Sequence, residues 1–388
     1  MIIKDQESLE AICQEYGQAP YIAVDTEFVR TSSYWPHLCL IQIAYDAPMG
    51  KSAVIIDPIA NDLDLKPFFK LMEDESILKI FHAARQDVEA LLHKEGIIPS
   101  PIFDTQIAAS ICGFGEQVSY SKLVFEYLKI VLDKSHQYMD WSNRPLSASQ
   151  IKYALGDVVH LCGAYENLRE EMAQCGRTDW MNKEMQALSD RREYDIDHAN
   201  LWKRFKKRNG SPVFLSMCYE LLKWREEKSR HFDIPRAHLL KDTDITGIAS
   251  IKVLSFAQLH KFSVSLTKIR ELDLLEDLFH CASTACENPK DLEFLKPRED
   301  VVLSSKYIQS LELLKVLLGV RAQTLRVAPS VIACISELES YVWDSSQPQR
   351  FLSGWRYEHF GKFVQDLKDG NLALTIEDDG VSIVPFVS

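Results

Sequence analysis

The residues with most chemical potential are acids set in apolar surroundings. Val24-Asp25-Thr26-Glu27-Phe28 places two carboxylates two positions apart. On a strand such residues share a face. Tyr-Ile-Ala-Val precedes the pair and Phe-Val follows it, so the strand reads as central, where acids need a partner. These flanks weaken the plainer reading of a bare Asp-x-Glu, a solvated strand edge. Adjacent carboxylates repel unless something positive lies between them. A third acid, Asp87, follows Phe81-His82-Ala83-Ala84-Arg85-Gln86 and falls in the first turn or two of a helix. Alone it would read as a helix-dipole residue, and His82 as a structural hydrogen-bonding group. A fourth, Asp157, stands four residues after Tyr153, so phenol and carboxylate share a helix face. As a lone pair this would be an ordinary surface contact. Gly156 inside that helix costs about 1 kcal/mol relative to Ala, so a close approach by another backbone is expected there.

Together the weights change. Four carboxylates from a strand, a helix start and a later helix can converge on two hard divalent cations, Mg²⁺ or Mn²⁺, which take oxygen ligands. Two ions roughly 3.5–4 Å apart stabilise both the attacking and the leaving oxygen of an in-line phosphoryl displacement. A tyrosine beside one ligand can orient the attacking water.

Elements must bring these residues together. Tyr21–Phe28, Leu38–Tyr45 and Ala53–Ile56 read as three strands of an antiparallel meander. Leu65–Met72 reads as a helix, Ile77–Phe81 as a fourth strand, and Ala83–His93 as an amphipathic helix behind it. A strand-to-helix segment over Ile102–Ile111 and a helix over Tyr120–Tyr127 follow. Gln150–Arg169 reads as one long helix with Ile151, Leu155, Val158 and Val159, Cys162 and Tyr165 on its packed side. This is an α/β layout with a mixed sheet flanked by helices. Beyond residue 176 strand signals almost vanish, and two helical clusters separate near Glu287-Asn-Pro-Lys and Lys296-Pro-Arg. The expected division is an α/β domain at 1–176, a basic helical linker at 177–207, and all-α domains at 208–290 and 298–376.

Composition narrows the class. The 388 residues carry a net charge of −12 with 46% apolar and 26% charged residues, as ordinary globular domains do. No apolar run approaches 18 residues, so no membrane span is expected. The start has no basic head or long apolar core, so no signal peptide is expected. Nine scattered cysteines without a CxxC pair read as buried thiols in a reducing cytoplasm. The charge is uneven: 1–175 holds 14 Lys and Arg against 25 Asp and Glu, whereas 177–241 holds 15 against 10. Within the latter, Lys203, Arg204, Lys206, Lys207 and Arg208 form a cluster flanked by Trp202 and Phe205. It reads either as a solvated linker helix or as a contact to nucleic-acid phosphates, with the aromatics anchoring or stacking. Trp224, Arg225 and Arg230 continue the basic bias. Gly50-Lys51-Ser52 ends like a P-loop, but position 45 is Tyr and no helix clearly follows, so no nucleotide cofactor is expected.

Asp25-x-Glu27, Asp87 and Tyr153-x3-Asp157, in this order, resemble the DEDD exonuclease superfamily in its tyrosine-bearing subgroup. The histidine-bearing subgroup would place His where Lys152 stands. Asp25-Thr-Glu-Phe-Val-Arg30, Leu40-Ile-Gln42, Ile56-Asp-Pro58, Asp104-Thr-Gln106, Leu132-Asp-Lys-Ser135, Asp140-Trp141 and Arg144-Pro-Leu146 bring the likeness closer to the bacterial ribonuclease D family. The helical remainder is similar to that family's paired HRDC domains, and Ser353-Gly-Trp-Arg356 recurs near the end. Gly156 departs from the family's usual Ala.

The resemblance implies a ribonuclease-H-like α/β domain followed by two small HRDC-like domains. It implies metal-dependent 3′–5′ hydrolysis of RNA, releasing 5′-mononucleotides and trimming tRNA precursors and other structured RNA 3′ ends. Asp25, Glu27, Asp87 and Asp157 would be the ligands of two cations and Tyr153 the water-orienting residue. Thr26 and Phe28 would contact the terminal nucleotide. A monomer is expected. A DNA exonuclease would use the same metal chemistry, because nothing in the motifs reads the 2′-hydroxyl. The helical modules, without a polymerase or helicase engine, favour RNA. A catalytically dead scaffold is disfavoured because all four acids and the tyrosine are present.

Overall fold

The computed structural model describes residues 1–47, 50–60, 63–133, 139–195, 201–202, 205, 210–251, 255–259, 266–289, 305–377 and 380–386. It separates into two units. One comprises Met1–Phe28, Leu38–Glu193 and Leu303–Ser388; the other comprises Val29–His37 and Tyr194–Val302.

The first unit is built on a six-stranded sheet of order β1-β4-β3-β2-β5-β6. Its strands are β1 (Ile2–Ile3), β2 (Tyr21–Val29), β3 (His37–Ala47), β4 (Gly50–Ile56), β5 (Leu78–Phe81) and β6 (Ile102–Asp104). β3 and β4 are antiparallel, while β2, β5 and β6 run parallel, as do β1 and β4. The sheet is mixed and the central placement of β2 is as expected. Ile22, Ala23 and Val24 are fully buried, as a strand covered on both faces requires. Pairing with β5 is recorded from Tyr21↔Leu78 to Ala23↔Ile80. Asp25 and Glu27 therefore continue past that ladder at the carboxyl end of β2, where α/β sheets place their ligands.

Helices α1 (Gln6–Tyr16), α2 (Lys66–Glu73), α3 (Arg85–Glu95), α4 (Thr105–Ile111), α5 (Tyr120–Leu128), α6 (Ala148–Val159), α7 (Leu161–Gln174) and α8 (Thr178–Ser189) flank the sheet. Two of these differ from the sequence reading. α1 was not expected; Asp5 caps it by accepting from Ser8 N at 2.9 Å, and Leu9, Ile12, Cys13 and Tyr16 form its buried stripe. The long helix expected over Gln150–Arg169 is two, broken at His160. Its buried side is also rotated: Ala154, Val158, Leu161, Cys162, Tyr165 and Leu168 are buried, whereas Ile151 and Leu155 are partly exposed.

The rest of this unit holds helices Ser305–Leu325, Ile335–Trp343 and Lys362–Lys368, then a hairpin of β7 (Leu372–Glu377) and β8 (Gly380–Pro385) that the sequence reading lacked. These late residues pack on the α4 and α8 region. Trp355 stacks on Trp180 with centroids 4.0 Å apart and planes 6° from parallel. Arg356, 5% exposed, donates to Glu184 and to Val331 O at 2.8 Å. Ala328 N donates to Ser110 O at 3.1 Å. A Cβ on Gly113, whose φ is +93°, would lie 2.4 Å from Arg326 O, so only glycine fits this approach.

The second unit is helical, with Pro212–His231, Asp242–Ala249 and Leu275–Glu287 as its longer helices. Trp202 and Phe205 are 3% and 2% exposed within its core, their rings 5.7 Å apart. They anchor the chain and are not surfaces for stacking on bases. Trp224, Arg225 and Arg230 are likewise committed. Trp224 Nε1 donates to Asp277 at 3.0 Å, Arg225 to Leu240 O and Asp242, and Arg230 lies 4.7 Å from the Trp35 ring centroid. The basic bias there is absorbed by packing and ion pairs.

Candidate active site

β2 carries Asp25 and Glu27 side by side, as the two-residue period predicts. Asp157, from the last turn of α6, meets them: one carboxylate oxygen from each of the three lies within 4.8 Å of the other two. Asp87 stands in the first turn of α3 and is 7% exposed. It does not join that mutual set. Its Oδ1 accepts from Thr26 Oγ1 at 2.5 Å and from Thr26 N at 3.2 Å, which fixes the carboxylate beside β2.

Burial and crowding together raise the protonation of the four acids. Burial, then the charge of Asp157, holds the Asp25 carboxyl well above the ordinary range. Burial, then Asp25, Asp157 and Asp87, pushes Glu27 up to about 10. Burial, then Asp25, raises Asp87 against the opposing pull of the Thr26 hydrogen bonds. Burial lifts Asp157 to about 7. Among the described residues, no basic side chain offsets these four charges. A set of hard, crowded, uncompensated oxygens fits divalent cations of the Mg²⁺ type.

Backbone corners place the acids. Asp104, 2% exposed, accepts from Ala83 N at 3.0 Å and Ala84 N at 2.9 Å, and caps α4 by accepting from Gln106 N at 2.8 Å. Thr105 Oγ1 donates to Phe81 O at 3.0 Å and meets His82 Nδ1 at 2.9 Å. This corner holds Ala83 at φ +61° and sets where α3 begins. α6 starts at a capping box: Gln150 N donates to Ser147 Oγ at 3.2 Å, and Ser147 N donates to Gln150 Oε1 at 2.9 Å. Arg144 fixes the loop before it. Its Nε and Nη2 donate to the two oxygens of fully buried Asp57 at 2.8 and 2.7 Å, and its Nη1 to Trp141 O at 2.8 Å. Trp141 packs beside Tyr153, with ring centroids 6.0 Å apart.

A cleft of about 220 Å³ is lined by Asp25, Thr26, Glu27, His82, Tyr120, Tyr153, Asp157 and Leu161. Burial, then Asp157, Glu27 and Asp25, raises the Tyr153 phenol, so it stays protonated at neutral pH. Thr26 lines the cleft but its hydroxyl is turned to Asp87; Phe28 is half-buried and does not line it. Lys203, Arg204, Lys206, Lys207 and Arg208 lie outside the described residues. Tyr120 was not singled out from sequence. Its hydroxyl donates to Gly156 O at 3.1 Å, and its ring lies 5.6 Å from His82. No backbone crowds Gly156: nothing lies within 4 Å of a Cβ built there. The neighbour is the tyrosine hydroxyl at the glycine carbonyl. Nothing local in the sequence links residue 120 to 156, so only the packing of α5 on this region shows it.

Residues 1–173 match the family model of 3′–5′ exonuclease domains, and with the mixed sheet and carboxylate cluster this defines the class. The chain is 37% identical to ribonuclease D of Bartonella henselae, over 98% of this chain and 93% of that one. It is 38% identical to ribonuclease D of Nitrobacter hamburgensis, over 97% of each. It is also similar to the crystal structure of Escherichia coli RNase D, an exoribonuclease involved in structured RNA processing. That likeness has a TM-score of 0.79 at 27% identity, over 95% of this chain and 98% of that one. The chain belongs to the ribonuclease D family and is a 3′–5′ exoribonuclease. Its first unit carries the ribonuclease-H-like sheet, and its later helices fit HRDC-like modules.

Proposed function

We propose that the enzyme hydrolyses RNA from the 3′ end with two divalent cations, Mg²⁺ or Mn²⁺, releasing 5′-mononucleotides. The carrying observation is the meeting of Asp25, Glu27 and Asp157 oxygens within 4.8 Å, with no cation among the described residues to balance them. Asp25, Glu27, Asp157 and Asp87 are the proposed ligands. Bound there, the cations supply charge stabilisation to the attacking and leaving oxygens of the scissile phosphodiester.

The chain's own groups do the positioning. The protonated Tyr153 hydroxyl orients the attacking water, and Trp141 limits the movement of its ring. Thr26 holds Asp87 toward β2 and borders the terminal nucleotide in the cleft, whose lining does not include Phe28. The cleft gathers Asp25, Glu27, Asp157 and Tyr153 at one open surface, where a single RNA 3′ end is proposed to enter. The Lys203–Arg208 cluster supplies long-range attraction for RNA phosphates, offsetting an acidic catalytic half. The proposed substrates are structured RNA 3′ ends, in line with the likeness to E. coli RNase D, an exoribonuclease involved in structured RNA processing, with tRNA precursors among them as the family resemblance implies. The proposed setting is the cytoplasm, with the chain as a monomer. No described helix is long and apolar enough to cross a membrane.

Isothermal titration with Mn²⁺ tests the ligand set. Wild type is expected to bind two ions per chain, and Asp157→Asn to lose at least one. One ion in wild type, or an unchanged isotherm in the variant, would contradict this assignment.

A further inference from the structure

In a continuous α-helix the Gly156 carbonyl would accept from the His160 amide. Here α6 ends at Val159, α7 begins at Leu161, and His160 adopts φ −94° and ψ −11° between them. The Tyr120 hydroxyl donates to Gly156 O at 3.1 Å, and the His160 main-chain N–H donates to Val158 O instead. A side-chain group inserted in the ladder is a recognised cause of a helix break. Neither Gly nor Pro stands at residues 158–161 to cause one locally. Tyr120 is itself fixed: it opens α5, whose first turn is capped by Ser119, and its ring rests against His82.

The break falls three residues after Asp157. The turn it terminates carries the only acid of the mutual three that does not come from β2. We infer that Tyr120 is a positioning residue for Asp157. Its hydroxyl keeps α6 and α7 from fusing, and so sets the direction from which the Asp157 carboxylate meets Asp25 and Glu27. This goes beyond the family activity and rests on the proposed role of Asp157 as a ligand.

Tyr120→Phe removes the wedge and keeps the ring; Tyr120→Leu removes both. In the Phe variant the expected results are a single-turnover rate at least 10-fold lower at saturating Mg²⁺ and Mn²⁺ affinity weakened several-fold. RNA affinity in EDTA should stay within twofold and the melting temperature within a few degrees. The His160 amide should gain hydrogen-exchange protection as it bonds to Gly156 O. Wild-type rate and Mn²⁺ affinity in the Phe variant would overturn the inference, whether or not the Leu variant is impaired, because the ring and not the hydroxyl would then matter. Failure of the Phe variant to fold would also overturn it, making Tyr120 a core residue. If wild type itself binds no Mn²⁺, the ligand proposal fails instead, and the two failures are told apart in one titration series.

Discussion

Replacing Asp157 by Asn should stabilise the metal-free protein at alkaline pH while abolishing activity. Burial raises the folded-state value of Asp157 from 3.8 to about 7. A group raised in this way favours folding while it holds its proton. That contribution is complete below about pH 4 and is lost as pH rises through about 7. The interval spans about three decades at about 1.4 kcal/mol each, so the loss by pH 8 is on the order of 4 kcal/mol. Asn cannot ionise and escapes it. Each kcal/mol moves the melting temperature of a unit this size by roughly 2–4 °C. Because the clustered acids share protons, one substitution recovers part of the total, and a rise of several degrees is expected in EDTA at pH 8. At pH 4.5 the two proteins should melt together. Saturating Mg²⁺ should raise the wild-type melting temperature by more than it raises the variant's. Scanning calorimetry from pH 4.5 to 8.5, with EDTA or Mg²⁺, reads all of this. A variant that melts at or below wild type in EDTA at pH 8, with the same pH slope, would refute the reasoning. Hydrolysis above about a tenth of wild type would remove Asp157 from the site.

Tyr153→Phe should cut the single-turnover rate by about 10²–10⁴-fold with RNA affinity unchanged; an unchanged rate would leave Tyr153 a packing residue. Glu184→Ala strands the Arg356 guanidinium, which is 5% exposed, and should cost about 3 kcal/mol in chemical denaturation; a loss below about 1 kcal/mol would show the pair to be solvated. Gly156→Ala should be neutral or stabilising by up to about 1 kcal/mol, because a Cβ there meets nothing within 4 Å. Reversing Lys203, Lys206 and Lys207 to Glu should weaken long RNA and flatten its log–log salt slope by roughly 0.7–0.9 per lost phosphate contact, while sparing a short oligomer; equal effects on both substrates would point to the fold or the active site.

The placement of the acids was legible because each obeys a local rule. Asp25 and Glu27 follow the strand period, and Asp87 follows a strand-to-helix turn. What escaped depends on contacts between distant segments. The apolar period runs unbroken through Val158, Leu161, Cys162 and Tyr165, so the break at His160 left no mark; its cause is a hydroxyl 40 residues upstream. Basic residues count alike in a sequence, yet Arg225 is buried on Asp242 and Leu240 O, and Arg230 lies against Trp35. The hairpin of β7 and β8 did carry a signal. Leu372-Ala-Leu-Thr-Ile alternates, and Asp378-Asp379-Gly380 is turn-like. The helical run before it masked that signal. α1 likewise carries its cap at Asp5 and its stripe in plain sequence; an N-terminal segment dominated by strands hid it.

Metal-dependent 3′–5′ exoribonuclease action is tested most directly by product release from a 3′-extended structured RNA labelled at every internucleotide phosphate, compared with a DNA of the same sequence, in Mg²⁺, Mn²⁺ or EDTA. 5′-Mononucleotides should appear one at a time from the 3′ end of the RNA, in either metal, with none in EDTA and none from Asp25→Asn. Undiminished hydrolysis in EDTA, oligonucleotide products, or faster release from DNA than from RNA would contradict it.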